Sequence, residues 1–441
     1  MTATPSESSS LTPTRSSTPL ASATSTASIT ASRTGTPRAS ATASSTATFT
    51  LLPSSTATPQ LGFAHPGAWS NSAELVFVKA QVQAGGNLWA TQLAMLEGST
   101  PGNQASRYSQ LTQANVINSC NNDAQVAQAD EMGAYAQALA WYLSGNTSYA
   151  NRAIAILNDY AGLQSITAPS CWNQQNVLDA GWFGAGFANA AELLRSYPGW
   201  SAAGIANFQA MLKRAFYPLL ASASVGNGNV DLTQMDAMMS IAVFCDDQAE
   251  FNAGIQRLGL RSPSYFYPAP APAPCCAASI PAIAGDGGNV QSFWFSPVAW
   301  LPGLMQETCR DNGHHAQFAL GSAIHVAEVA WHQGTDIYTP YQEYFVPALE
   351  LLSVQITSGQ MQGACSDSTT LDTALGAGGL ANDVYDTFEV GYNHYALRKG
   401  LSLPNTLALL TTRVRNPPNG TSTQWAMLNL MYETLSHAGV Q

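Results

Sequence analysis

The chain has 441 residues, 46% of them hydrophobic and 10% charged, with a formal net charge of −11. No run of about 18 uncharged apolar residues occurs, so a membrane-spanning helix is excluded. An acidic chain without clustered Lys and Arg is also a poor partner for nucleic acid, whose phosphates are gripped mainly by such clusters.

In chain order, the first 60 residues stand apart. Ser, Thr, Ala and Pro fill 47 of them and Phe49 is their only aromatic. Such a segment has too little apolar surface to offset chain entropy, so residues 1–60 are expected to be a disordered linker of the O-glycosylated kind. Residues 61–441 then form one globular domain. Met1 is followed by Thr-Ala-Thr-Pro-Ser-Glu rather than a basic and then apolar run, so no signal peptide is visible, and the expectation is that one has been removed.

From about residue 73 the apolar residues recur three and four apart, the period of a helix with one buried face. Between Tyr149 and Leu163, for example, Ala150, Ala153, Ile154, Leu157, Tyr160 and Ala161 share a face, while Asn151, Arg152, Asn158 and Asp159 lie elsewhere. Similar spacing predicts helices near 124–144, 176–196, 203–221, 231–244, 248–258, 314–333, 341–357, 383–399, 404–414 and 423–437. They are separated by turn signals such as Tyr197-Pro198-Gly199 and Gly226-Asn227-Gly228. Strand-like alternation is scarce, so an all-α domain of stacked helical hairpins is expected.

The chief irregular stretch runs from Arg261 to about Leu304. It is rich in aromatics, with Tyr265-Phe266-Tyr267, Phe293-Trp294-Phe295 and Trp300. A long loop of this kind often forms a wall or lid over a site, and aromatic faces suit the C–H faces of sugars. The alternative is that these rings pack the loop down.

Cys120, Cys171, Cys245, Cys275, Cys276, Cys309 and Cys365 show no paired spacing of the kind zinc sites use. Up to three disulfides with one cysteine left over is the better reading, and no metal or other cofactor is expected. Asn146-Thr-Ser and Asn419-Gly-Thr are glycosylation sequons. Tail, cysteines and sequons together favour a secreted protein.

The densest polar cluster is Glu307-Thr-Cys-Arg310-Asp311-Asn312-Gly-His314-His315-Ala-Gln317, leading into a helix with His325, Glu328, Trp331 and His332. Four of the seven histidines fall in this one stretch, a concentration that a solvated face does not require. Asp311 or Asn312 could cap the helix, and His325 and Glu328 could belong to a buried hydrogen-bonded network.

This cluster, with His325-Val-Ala-Glu-Val-Ala-Trp-His-Gln-Gly following it, resembles the alginate-lyase superfamily of polysaccharide lyases. The likeness is greatest to the branch of glucuronan and alginate lyases, polysaccharide lyase family thirty-eight. His65-Pro66-Gly67, Gly226-Asn227-Gly228-Asn229 and Glu389-Val-Gly-Tyr392-Asn393-His394-Tyr395 agree with it, over about residues 63–400. The resemblance implies an incomplete (α/α) toroid and β-elimination on a 1,4-linked uronate polymer of the glucuronan or alginate type, without an obligatory metal.

Elimination needs the uronate carboxylate neutralised while the C5 proton leaves, which Arg310 with an amide such as Asn229 or Asn176 can supply. A base must take that proton and an acid must protonate the departing O4. In related lyases a catalytic tyrosine follows the motif arginine by about two helical turns, but Gln317 and Phe318 stand there in this chain. The expected catalytic set is therefore Arg310, His314 or His315, and Tyr392, with Tyr265 or Tyr267 as the alternative tyrosines. Asn229, Asn227, Asn176, Tyr265, Asn393 and His394 are the expected substrate contacts, although Asn229 could instead cap a helix beginning at Val230. The expected partner is an anionic uronate polysaccharide, the protein is expected to be a monomer, and no nucleic acid or membrane partner is expected.

Two other classes remain open to the sequence. A glycoside hydrolase on the same toroid would need two carboxylates across a cleft, for which Asp231, Asp236, Glu307, Asp311 and Glu389 are available. A non-catalytic glycan-binding protein would use the aromatics alone.

Overall fold

The computed structural model describes residues 62–98, 115–221, 224, 226–268, 289–310, 314–366, 384–416, 423–424 and 426–441. Its helices are α1 (Ser72–Ala84), α2 (Leu88–Glu97), α3 (Asn122–Ser144), α4 (Thr147–Tyr160), α5 (Gln175–Leu194), α6 (Ala202–Ala215), α7 (Tyr217–Leu220), α8 (Gly228–Phe244) and α9 (Gln248–Arg261). They continue with α10 (Val290–Phe293), α11 (His314–His332), α12 (Tyr338–Ser358), α13 (Glu389–Tyr392), α14 (Pro404–Leu409) and α15 (Glu433–His437). The last turns after α13 and α14 widen into π-helix, at Asn393–Arg398 and Leu410–Val414.

Sequence chemistry sets the helix ends. Asn71 and Glu74 form a reciprocal capping box on α1, and Asn121, Asn146, Ser201 and Asp247 each accept a backbone N–H from the helix they precede. Gly145 and Gly359 end α3 and α12 in the left-handed conformation that glycine adopts without strain.

The helices pair into hairpins, α3 with α4 and α8 with α9, and the inner members α3, α5, α8 and α11 pack in succession. Burial follows this order. Every residue of α8 is buried, whereas α4 buries one face through Ala150, Ala153, Ile154, Ile156, Leu157 and Tyr160. Close approach of α5 to α8 depends on small residues. A Cβ on Gly181 would stand 2.9 Å from the Thr233 side chain, and one on Gly184 would stand 3.2 Å from Ala237. This is an all-α fold of the (α/α) toroid class.

The array is fastened where its first and last described segments meet, since α15 packs against both α1 and α2. His437 Nε2 donates to the Trp69 carbonyl at 2.9 Å, and the Trp89 indole donates to the Ala438 carbonyl at 3.1 Å. Beneath them the Trp69 indole donates to Asp236 Oδ1 at 2.9 Å, and His325 bridges Asp236 and Glu433, both at 2.9 Å.

Two predicted helices are corrected. The segment expected as a helix at 423–437 contains β4 (Thr423–Gln424), then an antiparallel pair, β5 (Ala426–Met427) with β6 (Leu430–Met431), and only then α15. The segment at 383–399 opens as β3 (Val384–Tyr385), which pairs parallel with β4. One further two-stranded pair, β1 (Val116–Asn118) with β2 (Ser165–Thr167), lies between helices. In the long irregular stretch Tyr265, Phe266, Tyr267, Phe293 and Trp294 are buried, so the described aromatics chiefly pack it down. Cys120–Cys171 and Cys309–Cys365 are disulfides and Cys245 is a buried free thiol, while Cys275 and Cys276 lie outside the described residues. Among the described residues no helix is long and apolar enough to cross a membrane.

Candidate active site

The first turn of α8 leaves backbone N–H groups without a helical acceptor, and the segment before α11 supplies one for each of two. Gly228 N–H donates to Gln306 Oε1 at 2.9 Å, and Asn229 N–H donates to Glu307 Oε2 at 2.8 Å. Gly228 is needed for this approach, because a Cβ there would stand 2.9 Å from the Tyr265 ring. The Asn229 amide also donates to both Glu307 oxygens, at 2.8 and 2.9 Å, and Arg310 donates to Glu307 Oε1 at 2.7 Å. A buried carboxylate at a helix N-terminus thus orients the two residues expected to neutralise a uronate carboxylate. Asn229 is therefore not the helix cap. Cys309, disulfide-linked to Cys365, fixes the backbone immediately before Arg310.

Four residues beyond Arg310, α11 opens with the histidine doublet. His314 Nδ1 makes a hydrogen bond with the Tyr385 hydroxyl. Strand β3 carries that tyrosine, and its backbone N–H donates to Gln317 Oε1 at 2.9 Å. Gln317, standing where the motif would place a tyrosine, thus docks a tyrosine from elsewhere in the chain. Phe318 backs the pair, with its ring 5.1 Å from His314 and 5.4 Å from Tyr385 between centroids. His315 is adjacent, with its ring set edge-on to His314 at 4.7 Å.

Other expected site residues fall elsewhere. Tyr392 forms no hydrogen bond with either histidine and lies near Arg415, which is paired with Glu389. Tyr265 is 1% exposed, and its hydroxyl is held by Asp231 and Arg261, both at 2.7 Å. Burial, followed by the Asp231 charge, pushes that phenol well above its ordinary range, so it is poorly suited to act as a base. Tyr267 is buried against Trp300.

Asn393 donates to the His437 carbonyl, and His394 stacks on Tyr338 at 3.6 Å. Both are buried in the core, and burial lowers the His394 imidazole to about 4. These corrections share one cause: the residues sit on faces turned into the helical packing. Asn227 precedes α8 and accepts from the Gln306 amide at 3.2 Å, and Asn176 donates to the Ile166 carbonyl at 3.3 Å.

The carboxylates a hydrolase would require are engaged in the interior. Asp231 lies between Arg257 and Arg261, Asp236 under His325, and Glu389 against Arg415 at 2.6 Å. Asp311 and Asn312 lie outside the described residues. Glu74, Glu328 and His332 bring ligand-type atoms within 4.8 Å of one another. That space already holds organic cations, since Arg398 donates to both glutamates at 2.8 Å and His332 bonds Glu74 at 3.0 Å. Burial alone would lower the His332 imidazole, but the two carboxylates override it and raise it to about 10.

The family model described as Alginate lyase matches residues 37–261, just over half of the chain. The chain belongs to the alginate lyase family. It is accordingly a polysaccharide lyase. The matched span begins within the segment expected as a linker and ends before Arg310. Among solved structures, alginate lyase A1-III from Sphingomonas species A1 superposes with a TM-score of 0.53 at 15% identity, covering 80% of this chain and 93% of that one. A histidine-to-alanine variant of A1-III in complex with a tetrasaccharide gives 0.51 at 14%, covering 76% and 88%. Identities this low carry the fold alone. No curated protein matches the sequence.

Proposed function

We propose that this lyase cleaves a 1,4-linked uronate polymer of the glucuronan or alginate type by β-elimination, leaving an unsaturated uronide at the new non-reducing end. The observation that carries the reading is the hydrogen bond between Tyr385 and His314, four residues from an arginine held ready by Glu307. Arg310 neutralises the uronate carboxylate, while the Asn229 amide holds Glu307 in place, so negative charge can build there as the C5 proton leaves. His314, half-buried at the start of α11, takes that proton on its second ring nitrogen, with Nδ1–H held by the oxygen of the fully buried Tyr385. As the C4–O4 bond breaks and the C4–C5 double bond forms, the imidazolium returns that proton to O4. Protons balance within the pair, and turnover therefore falls towards acid pH, where the imidazole is already protonated.

The protein is read as a secreted enzyme. Supporting this are the two disulfides and Asn146, an exposed sequon asparagine at the start of α4. The test is ultraviolet absorbance growth on glucuronan, polymannuronate, polyguluronate and a neutral glucan. Absorbance on one or more uronates supports elimination, and the preferred polymer names the substrate. New reducing ends without absorbance would mean hydrolysis, and neither signal would leave a binding protein.

A further inference from the structure

A cavity of about 340 Å³ opens between the start of α3 and the first half of α5, within the size range of small-ligand sites. Cys120 and Cys171 form its rim, so their disulfide holds the two walls together. Polar atoms without partners are gathered around it. Asp179 Oδ2 and Trp182 Nε1 are buried without a hydrogen bond, and both residues line the cavity. Asp179 is 2% exposed; its other oxygen accepts from the Gln175 amide at 2.8 Å, and burial raises its carboxyl to about 6 against the Ser119 hydroxyl and the Gln175 amide, which favour the charged form. Buried polar groups normally find partners, so two such atoms around one space call for a ligand that supplies them.

The lining contains amides, a hydroxyl, a carboxyl and aromatic rings, but no Lys, Arg or His. It therefore suits the hydroxyl-bearing edge of a sugar rather than a carboxylate. Its place in the fold agrees. The Trp182 ring packs 5.5 Å from Phe318, the ring that backs His314 and Tyr385. The cavity thus lies one aromatic layer from the proton-transfer pair, within reach of a neighbouring unit of a bound chain. Trp172, next in sequence to Cys171, is 44% exposed and offers a face on which a further sugar could stack.

We infer that this cavity is a pyranose subsite of the polysaccharide chain, in which Asp179 and the Trp182 indole N–H hold sugar hydroxyls and fix the polymer relative to the cleavage point. The inference rests on the lyase reading above. Asp179 and Trp182 bind and position substrate; they do not touch the reacting atoms.

The test is steady-state kinetics on the polymer that the wild-type protein cleaves. Asp179→Ala and Trp182→Phe should each raise KM about tenfold, the effect of losing one strong hydrogen bond, with kcat within about threefold of wild type. Should Asp179→Ala fail to fold, Asp179→Asn keeps the volume and the Gln175 contact and should raise KM several-fold. As a readout independent of turnover, oligouronate binding by calorimetry to the Tyr385→Phe protein should weaken by the same factor when Asp179→Asn is added. Folded variants with unchanged KM, or with kcat lost at constant KM, would overturn the subsite and leave the lyase reading intact. A wild-type protein that releases no unsaturated product from any uronate polymer would overturn both.

Discussion

Tyr385→Phe removes one oxygen and little else. The Tyr385 ring is fully buried against Phe318 and His314, contacts that phenylalanine retains, and the backbone N–H remains docked on Gln317. Loss of a single buried hydrogen bond costs about 1 kcal/mol, which lowers the melting temperature by only about 1 °C in a domain of this size. The effect on chemistry is larger, because His314 loses the hydrogen bond that fixes its tautomer and ring orientation. A positioned acid or base contributes roughly 10²–10⁴ in rate, and a misoriented one forfeits much of that, so kcat should fall about a hundredfold while KM stays within a few-fold. The assay is the initial rate of ultraviolet absorbance on the preferred uronate polymer, with circular dichroism to verify the fold. Tyr392→Phe serves as the control and should stay near wild type. A folded Tyr385→Phe protein with turnover within threefold of wild type would remove Tyr385 from the mechanism.

Arg310→Lys keeps the charge but not the planar fork, and about a hundredfold loss of turnover is expected, whereas Glu307→Gln, which weakens the anchor shared by Asn229 and Arg310, should cost about tenfold in kcat with little change in KM. Replacing Cys309 and Cys365 together by serine opens a loop spanning 56 residues. The chain-entropy account puts this at about 4 kcal/mol, or roughly 5 °C in thermal scans, and the loosened backbone beside Arg310 should reduce turnover as well. Burial would lower the imidazoles of His325 and His332, but the carboxylates of Asp236 and Glu433 for one, and of Glu74 and Glu328 for the other, raise each to about 10. Because these folded values exceed the unfolded value of about 6.5, the stability they contribute is complete below that pH and is lost as pH rises towards 10. The melting temperature should therefore fall between pH 7 and 10, and a His332→Gln protein that showed the same slope as wild type would contradict this.

Much of the helical framework was legible because amphipathic faces announce themselves. The face read between Tyr149 and Leu163 is the one that α4 buries. The method fails where both sides of a segment are buried and periodicity loses its meaning. Ala426, Met427, Leu430, Met431 and Leu435 are spaced as in a helix, yet Leu428 and Asn429 turn the chain between two short strands, with Leu428 at φ 56°. The same failure hid Tyr385. Read as part of a helix at 383–399 it offered no function, and its placement depends on pairing with β4 and on a hydrogen bond to Gln317, 68 residues earlier. Arg310, His314 and Asn229 stood out in the sequence because their residue types suit the proposed chemistry. Glu307, which orders two of them, was visible only as a spare carboxylate, since its role arises from contacts 78 residues apart in sequence.

The seam between α1, α2 and α15 has a consequence for how this molecule comes apart. An open stack of hairpins, whose units touch only their neighbours, can fray from either end one unit at a time. Here His437 and Ala438 bond to Trp69 and Trp89, while Glu433 and Asp236 share His325. The outermost hairpins thus have no independent edge from which to peel. Loss of the seam exposes a charged network shared by both extremities, so denaturation should proceed as a single cooperative event, and trimming the last dozen residues should destabilise the helices near residue 75 as much as those beside the cut.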